Sequence, residues 1–174
     1  MSTNLHTDFK RLNLLPSSEA ESELLKCCGS TQWARRMVEE RPFTGTEQMI
    51  ETADRVWWSL GPEDWLEAFH SHPKIGEKKA ARPVSEESRT WSEQEQSGVE
   101  NSAQDTIKAL AELNRAYEKK FGYIFIVCAT GKSSEEILGI LRARLENPAG
   151  IELRVAAAEQ AKITQLRLRK LLAS

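Results

Sequence analysis

The sequence predicts an all-α fold, a single-domain orthogonal helical bundle of about eight helices over residues 1–174, and three observations carry that expectation. Apolar residues recur at spacings of three and four in one segment after another, as a helix with one buried face requires. Ser/Thr-x-x-Glu pairs head several of these segments, at Ser18/Glu21, Thr44/Glu47 and Ser133/Glu136, the pattern of a reciprocal N-terminal cap. The single β-branched and aromatic run, residues 123–129, finds no second run with which to pair, so it is expected to be a buried extended segment or a helix start.

Taken in order, Ser18 with Glu21 opens a short helix carrying Leu24, Leu25 and Cys28, closed by Gly29. Ser30 caps the next, whose apolar side (Trp33, Met37, Val38) runs until Pro42. Thr44 with Glu47 opens a third through Ile50, Ala53, Val56 and Trp57, ended by Gly61-Pro62. Pro62 suits the first turn of a fourth helix, with Trp65, Leu66 and Phe69 inward and His70 in the last turn. Residues 76–92 are polar and contain Pro83, which predicts an exposed loop with a helical turn and makes it a candidate lid. Helix resumes over residues 91–98, and a longer one over 102–120 places Ile107, Leu110, Leu113 and Tyr117 at helical spacing before Gly122. Ser133 with Glu136 opens another through Ile137, Leu138 and Leu141, ended near Asn147-Pro148, and a last helix covers about residues 150–172. No internal repeat, low-complexity tract or linker interrupts the chain.

Composition narrows the function classes. A chain of 174 residues with 40% hydrophobic and 29% charged residues can enclose both a core and a pocket. With Lys+Arg 24 against Asp+Glu 26, the balance predicts neither a nucleic-acid nor a membrane partner, so any anion must be captured locally. Three cysteines, two adjacent at Cys27 and Cys28, make neither a disulfide framework nor a zinc spacing, which fits a reducing cytosol. Residues 1–15 lack the apolar core of a signal peptide, no segment is long enough to cross a bilayer, and the last residues do not read as a peroxisomal or retention signal. A cytoplasmic location is expected.

The candidate chemistry begins at His72-Pro73. A group that titrates near neutrality stands beside a ring that keeps its own residue and the preceding one out of a helix, so the imidazole leaves the fourth helix free to face a cavity; a plain surface histidine is the other reading. On the last helix Arg167 rises between Ile163 and Leu171, away from the face assigned to Arg154, Glu159 and Gln165. It is either a snorkelling side chain or a fork that takes a carboxylate with two parallel hydrogen bonds. Residues 91–98 are either a solvated helix face or a helix with one glutamate turned inward to accept substrate N–H or O–H groups. His70 and His72 invite a metal reading, weakened because one lies on a helix and the other beyond it and because spacing suggests no third ligand. Cys128 reads as a buried small residue.

The combined pattern is more specific. His72-Pro73 with Ile75-Gly76, Trp91-Ser92 leading to Glu95-Gln96-Ser97, Leu113-Asn114 with Tyr117, the run from Lys120 to Ala129, Arg144-Leu145-Glu146-Asn147, and Lys162 to Leu168 closely resemble the 2-oxo-4-hydroxy-4-carboxy-5-ureidoimidazoline (OHCU) decarboxylase family. That resemblance, which covers nearly the whole chain, implies an all-helical carbon-carbon lyase. It would convert OHCU to (S)-allantoin in urate breakdown, without metal or organic cofactor, and work as a homodimer. Matched motif by motif, it implies His72, Glu95 and Arg167 as catalytic residues. Pro73, Ser92, Glu95, Gln96, Phe125, Ile126, Val127, Cys128, Ala129 and Arg167 would bind substrate, partly through backbone groups. Glu93-Gln94 duplicates Glu95-Gln96, and Glu95 is preferred because Ser97 then completes the Glu-Gln-Ser form. Two other classes are compatible with parts of the pattern: a metal-dependent amidohydrolase built on His70 and His72, and a noncatalytic module that binds a ureide or purine metabolite.

Overall fold

The structure is a computed structural model that describes residues 9–75, 84–97 and 103–173. These residues form nine helices and no β-strand: α1 (Phe9–Leu14), α2 (Ser17–Leu25), α3 (Thr31–Glu39), α4 (Thr46–Trp58), α5 (Pro62–Phe69), α6 (Glu86–Glu95), α7 (Gln104–Phe121), α8 (Ser134–Leu145) and α9 (Ala149–Ala173). Helix α1 is additional to the eight segments expected. Residues 76–83 of the candidate lid and the expected helix start at Ser102 lie outside the described residues, and from Glu86 onward the expected loop is helix. The helices fall into two compact units, residues 1–67 with 161–174, and residues 68–160.

The first unit is organised around α3 and α4. Ser30 caps α3 as expected, its hydroxyl accepting from the Trp33 backbone N–H at 3.2 Å. Trp33, Met37, Met49, Val56 and Trp57 are buried, and the indoles of Trp33 and Trp65 donate to the Ala53 and Trp57 carbonyls, each at 3.1 Å. A buried indole N–H therefore finds an acceptor at no loss of packing. Arg41 donates to the Leu12 and Leu15 carbonyls at 2.8 and 2.7 Å, satisfying the end of α1. Two expected caps are not formed. α2 starts two residues earlier than a Ser18 cap requires, after Pro16 in an extended conformation, which leaves Ser18 inside the helix with its carbonyl accepting from Ser22. α4 starts after Gly45, and Gln48 rather than Glu47 reaches back to the Thr44 N–H, at 3.1 Å. Because Ser30 is fully buried, Ser30→Ala leaves the Trp33 N–H without an acceptor; we expect a loss of about 1 to 2 kcal/mol in chemical denaturation.

The second unit holds α6, α7, α8, the first half of α9 and the segment 123–129. α7 ends at Gly122 in the left-handed region, φ 84°, where a glycine pays no Cβ penalty. Its inward stripe is Leu110, Asn114 and Tyr117; Ile107, expected on that stripe, is exposed, and Leu113 is half-buried. Residues 123–129 are extended, every one buried, and do not begin a helix. α6 begins at Glu86, capped by Ser85 at 3.1 Å from the Ser88 N–H, so the helix expected from residue 91 starts five positions sooner. α8 is capped by Ser133 as expected, its hydroxyl accepting from the Glu136 N–H at 3.2 Å, but the return half of the box differs: the Glu136 carboxylate accepts from the Ser133 hydroxyl, at 3.3 Å.

A buried ion network locks the floor of this unit. Arg144 on α8 meets Glu152 on α9 at 2.6 Å, and the guanidinium also donates to the Ile126 carbonyl and lies 4.5 Å from the centre of the Phe125 ring. Tyr117 donates to Glu152 at 2.6 Å and Asn147 to its other oxygen at 2.9 Å. The carboxylate, fully buried, thus has charge and hydrogen-bond partners on both oxygens. Burial, then the bond to Glu152, push the Tyr117 hydroxyl well above its usual range, so it stays a donor.

Candidate active site

His72 owes its position to how α5 stops. Beyond Phe69 the Ser71 and His72 N–H groups donate back to Ala68 and Phe69, at 3.1 and 3.2 Å, and Pro73 then forces the chain out of helical geometry. His70 faces solvent while His72 and Pro73 are buried. The two imidazoles therefore occupy different environments. Among the described residues no group of three His, Cys, Asp or Glu side chains is placed to hold a metal ion. The segment after His72 is tied to α7: Asn114 donates to the Ile75 carbonyl at 3.4 Å and Lys74 pairs with Glu118 at 2.9 Å. The imidazole itself reaches α9, where its Nε2 lies 2.6 Å from Oε1 of the fully buried Gln160.

α6 supplies the carboxylate. Ser88, Trp91, Ser92 and Glu95 recur at helical spacing and are all buried, whereas Glu93 and Gln94 are exposed and Gln96 is half-buried. The duplicated Glu-Gln pairs are thereby distinguished by burial: Glu95 is the inward one. The Ser92 hydroxyl donates to the Ser88 carbonyl at 3.0 Å.

The extended segment contributes backbone. Cys128 donates its N–H to Glu159 at 3.2 Å and its carbonyl accepts from Lys132 at 2.8 Å. Its thiol is pushed up, first by burial and also by the Glu159 and Glu95 carboxylates, with Lys132 opposing. Glu95 is therefore an electrostatic neighbour of this segment, and Cys128 is no thiolate. Of the N–H groups offered by Phe125 to Ala129, that of Cys128 is engaged by the protein itself.

His72, Pro73, Ser92, Glu95, Gln96 and residues 125–129 thus belong to the second compact unit, and Arg167 to the first. Arg167 is buried, as its place between Ile163 and Leu171 predicts, and donates to the Lys26 carbonyl at the end of α2, at 3.4 Å. Near it the Cys28 thiol, hydrogen-bonded to Thr164, is pushed up to about 12, chiefly by burial.

Two site residues do not stand out from the sequence alone. Glu159, expected on the polar face of α9 with Arg154 and Gln165, is buried, and Gln160 is fully buried. The helical period explains both. Residues 154 and 159 are five apart and face different ways, while Glu159 lies seven beyond buried Glu152, and Gln160 seven before Arg167 on the same stripe.

Comparison with known proteins places this arrangement. The family model described as OHCU decarboxylase matches residues 13–169, a stretch drawn from both compact units. The uric acid degradation bifunctional protein TTL of Arabidopsis thaliana is 40% identical over 152 residues, 87% of this chain and 47% of that protein, so the chain spans about half of that relative's length. The 2-oxo-4-hydroxy-4-carboxy-5-ureidoimidazoline decarboxylase of Amia calva is 34% identical over 133 residues, 76% of this chain and 75% of that one. A crystal structure of an OHCU decarboxylase in the presence of (S)-allantoin superposes with a TM-score of 0.76 at 39% identity, covering 88% of this chain and 99% of the other. A match through nearly all of the helices, joined to the buried histidine and glutamate of the motifs, has one meaning: the chain belongs to the OHCU decarboxylase family.

Proposed function

We propose that this protein decarboxylates OHCU to (S)-allantoin in urate degradation, with His72 as the general acid-base. The observation that carries the reading is the buried, hydrogen-bonded His72 in a chain of this family. Breaking the bond from the ring to the carboxylate releases carbon dioxide and leaves an electron pair, which the adjoining ring groups take up. The neighbouring hydroxyl becomes a carbonyl as its proton leaves, a proton is returned to one face of the ureido-bearing carbon, and the ring nitrogen that took up the pair gains a further proton from solvent. His72 accepts the first proton and delivers the second, work that suits a pKa near neutrality. One-sided delivery makes the product a single enantiomer.

Glu95 holds the hydroxyl or ureido N–H groups of the substrate, supported by its inward position on α6. Backbone groups of residues 125–129, with Pro73, Ser92 and Gln96, line the substrate, and N–H donors there meet the developing negative charge. Arg167 takes the substrate carboxylate, a role supported by its burial and its motif. The chemistry needs no cofactor, since the ring itself holds the charge, and the family resemblance favours a homodimer. Three buried cysteines, none of them in a disulfide, suit a reducing cytoplasm. No described helix is long and apolar enough to cross a membrane.

The test is to supply freshly generated OHCU and follow allantoin by its optical activity against the spontaneous reaction. Catalysis that survives a chelator agrees with the reading; release of ammonia, or activity that a chelator abolishes and zinc or manganese restores, supports a metal-dependent amidohydrolase instead. Stabilisation by ligand without turnover would indicate a binding module. Arg167→Lys keeps the charge but loses the fork, and is expected to raise KM about tenfold or more while kcat changes less.

A further inference from the structure

We infer that Gln160 is a positioning residue that fixes the tautomer of His72, holding the proton on Nε2 and leaving the lone pair on Nδ1. The geometry is direct. Nε2 of His72 stands 2.6 Å from the amide oxygen of Gln160, with both side chains buried. An amide oxygen only accepts, so this contact keeps a proton on Nε2. A neutral imidazole with that proton in place has its lone pair on Nδ1.

Placement on α9 adds to this. Glu159, the residue before, accepts the Cys128 N–H and so fixes the extended segment. Two consecutive residues of one helix thus set the backbone run and the imidazole relative to each other, all within the second compact unit. An amide in this place orients the ring without adding charge, unlike a carboxylate, which would favour the imidazolium.

The inference rests on the acid-base role of His72, but its first test does not involve activity. The chain has three histidines, so ring-nitrogen NMR of the ¹⁵N-histidine-labelled protein is simple, and the His72 signals are identified by their loss in His72→Asn. The expected wild-type spectrum shows Nε2 protonated. Gln160→Met keeps the length of the side chain and removes the acceptor; it should shift His72 toward the other tautomer and lower kcat about tenfold or more, with KM little changed. Gln160→Glu restores an acceptor oxygen and should restore the Nε2–H signal. A residue that only filled space would show neither the tautomer change nor the split between kcat and KM.

A wild-type spectrum with the proton on Nδ1, or a Gln160→Met protein with unchanged tautomer and kcat, overturns the inference. Should Gln160→Met fail to fold, the wild-type spectrum alone decides. Full turnover by His72→Asn would instead remove the acid-base role and leave the tautomer assignment standing.

Discussion

His72→Asn is expected to lower kcat for OHCU decarboxylation by about two to four powers of ten, the range over which a positioned acid-base group acts, while the helical fold persists. Asparagine keeps a polar group in a buried position but has no nitrogen that takes and returns a proton near neutral pH. KM should change less, because carboxylate binding is assigned to Arg167 and hydroxyl or ureido contacts to Glu95. The measurement is steady-state allantoin formation, corrected for the spontaneous reaction, beside a thermal melt. A loss in rate matched by a collapse in melting temperature would mean that the substitution had unfolded the protein instead.

Arg144→Met is expected to have the largest effect on stability, about 3 to 5 kcal/mol, because it strips the cation from a carboxylate that has no access to water. The opposing effect, recovery of packing by the methionine, cannot offset an uncompensated buried charge. Replacing both partners removes that penalty, so Arg144→Met with Glu152→Gln should recover part of the loss. By contrast Glu47 and Arg169 pair at 2.8 Å on the surface, and Glu47→Gln should leave the denaturation midpoint unchanged. Arg144 also holds the Ile126 carbonyl, so a partly folded Arg144→Met protein should lose activity beyond its loss of folded fraction. Urea titration of the single and double variants decides the matter: an Arg144→Met midpoint equal to wild type would contradict the network's structural role.

Much of the fold can be read from local chemistry. Ser30, Ser133 and Gly122 act where the sequence places them because an N-cap hydroxyl and a left-handed glycine depend on only a few neighbours. Ser18 and Thr44 mislead because the chain starts these helices after Pro16 and Gly45, two residues and one residue away, and a motif does not reveal which of several nearby starts the chain will use. Glu95 could be preferred over Glu93 by motif, and helical period agrees, since Ser88, Trp91, Ser92 and Glu95 share a face. What escapes sequence reasoning is tertiary pairing. Gln160 lies 88 residues from His72 and Glu159 lies 31 from Cys128, so neither partnership leaves a local signature. Glu152 looks like one more charge on a polar helix until Arg144 and Tyr117 are seen to enclose it.

The central claim is that one imidazole delivers a proton to one face of a ring that has just lost carbon dioxide. The most direct measurement is enzymatic turnover of fresh OHCU in D₂O, with the handedness of the allantoin product read before it can racemise. The account predicts one deuterium on the ureido-bearing carbon and a single enantiomer from the wild type, and from His72→Asn allantoin formed about two to four powers of ten more slowly and without that single handedness. Enantiopure allantoin formed at the wild-type rate by His72→Asn would contradict it.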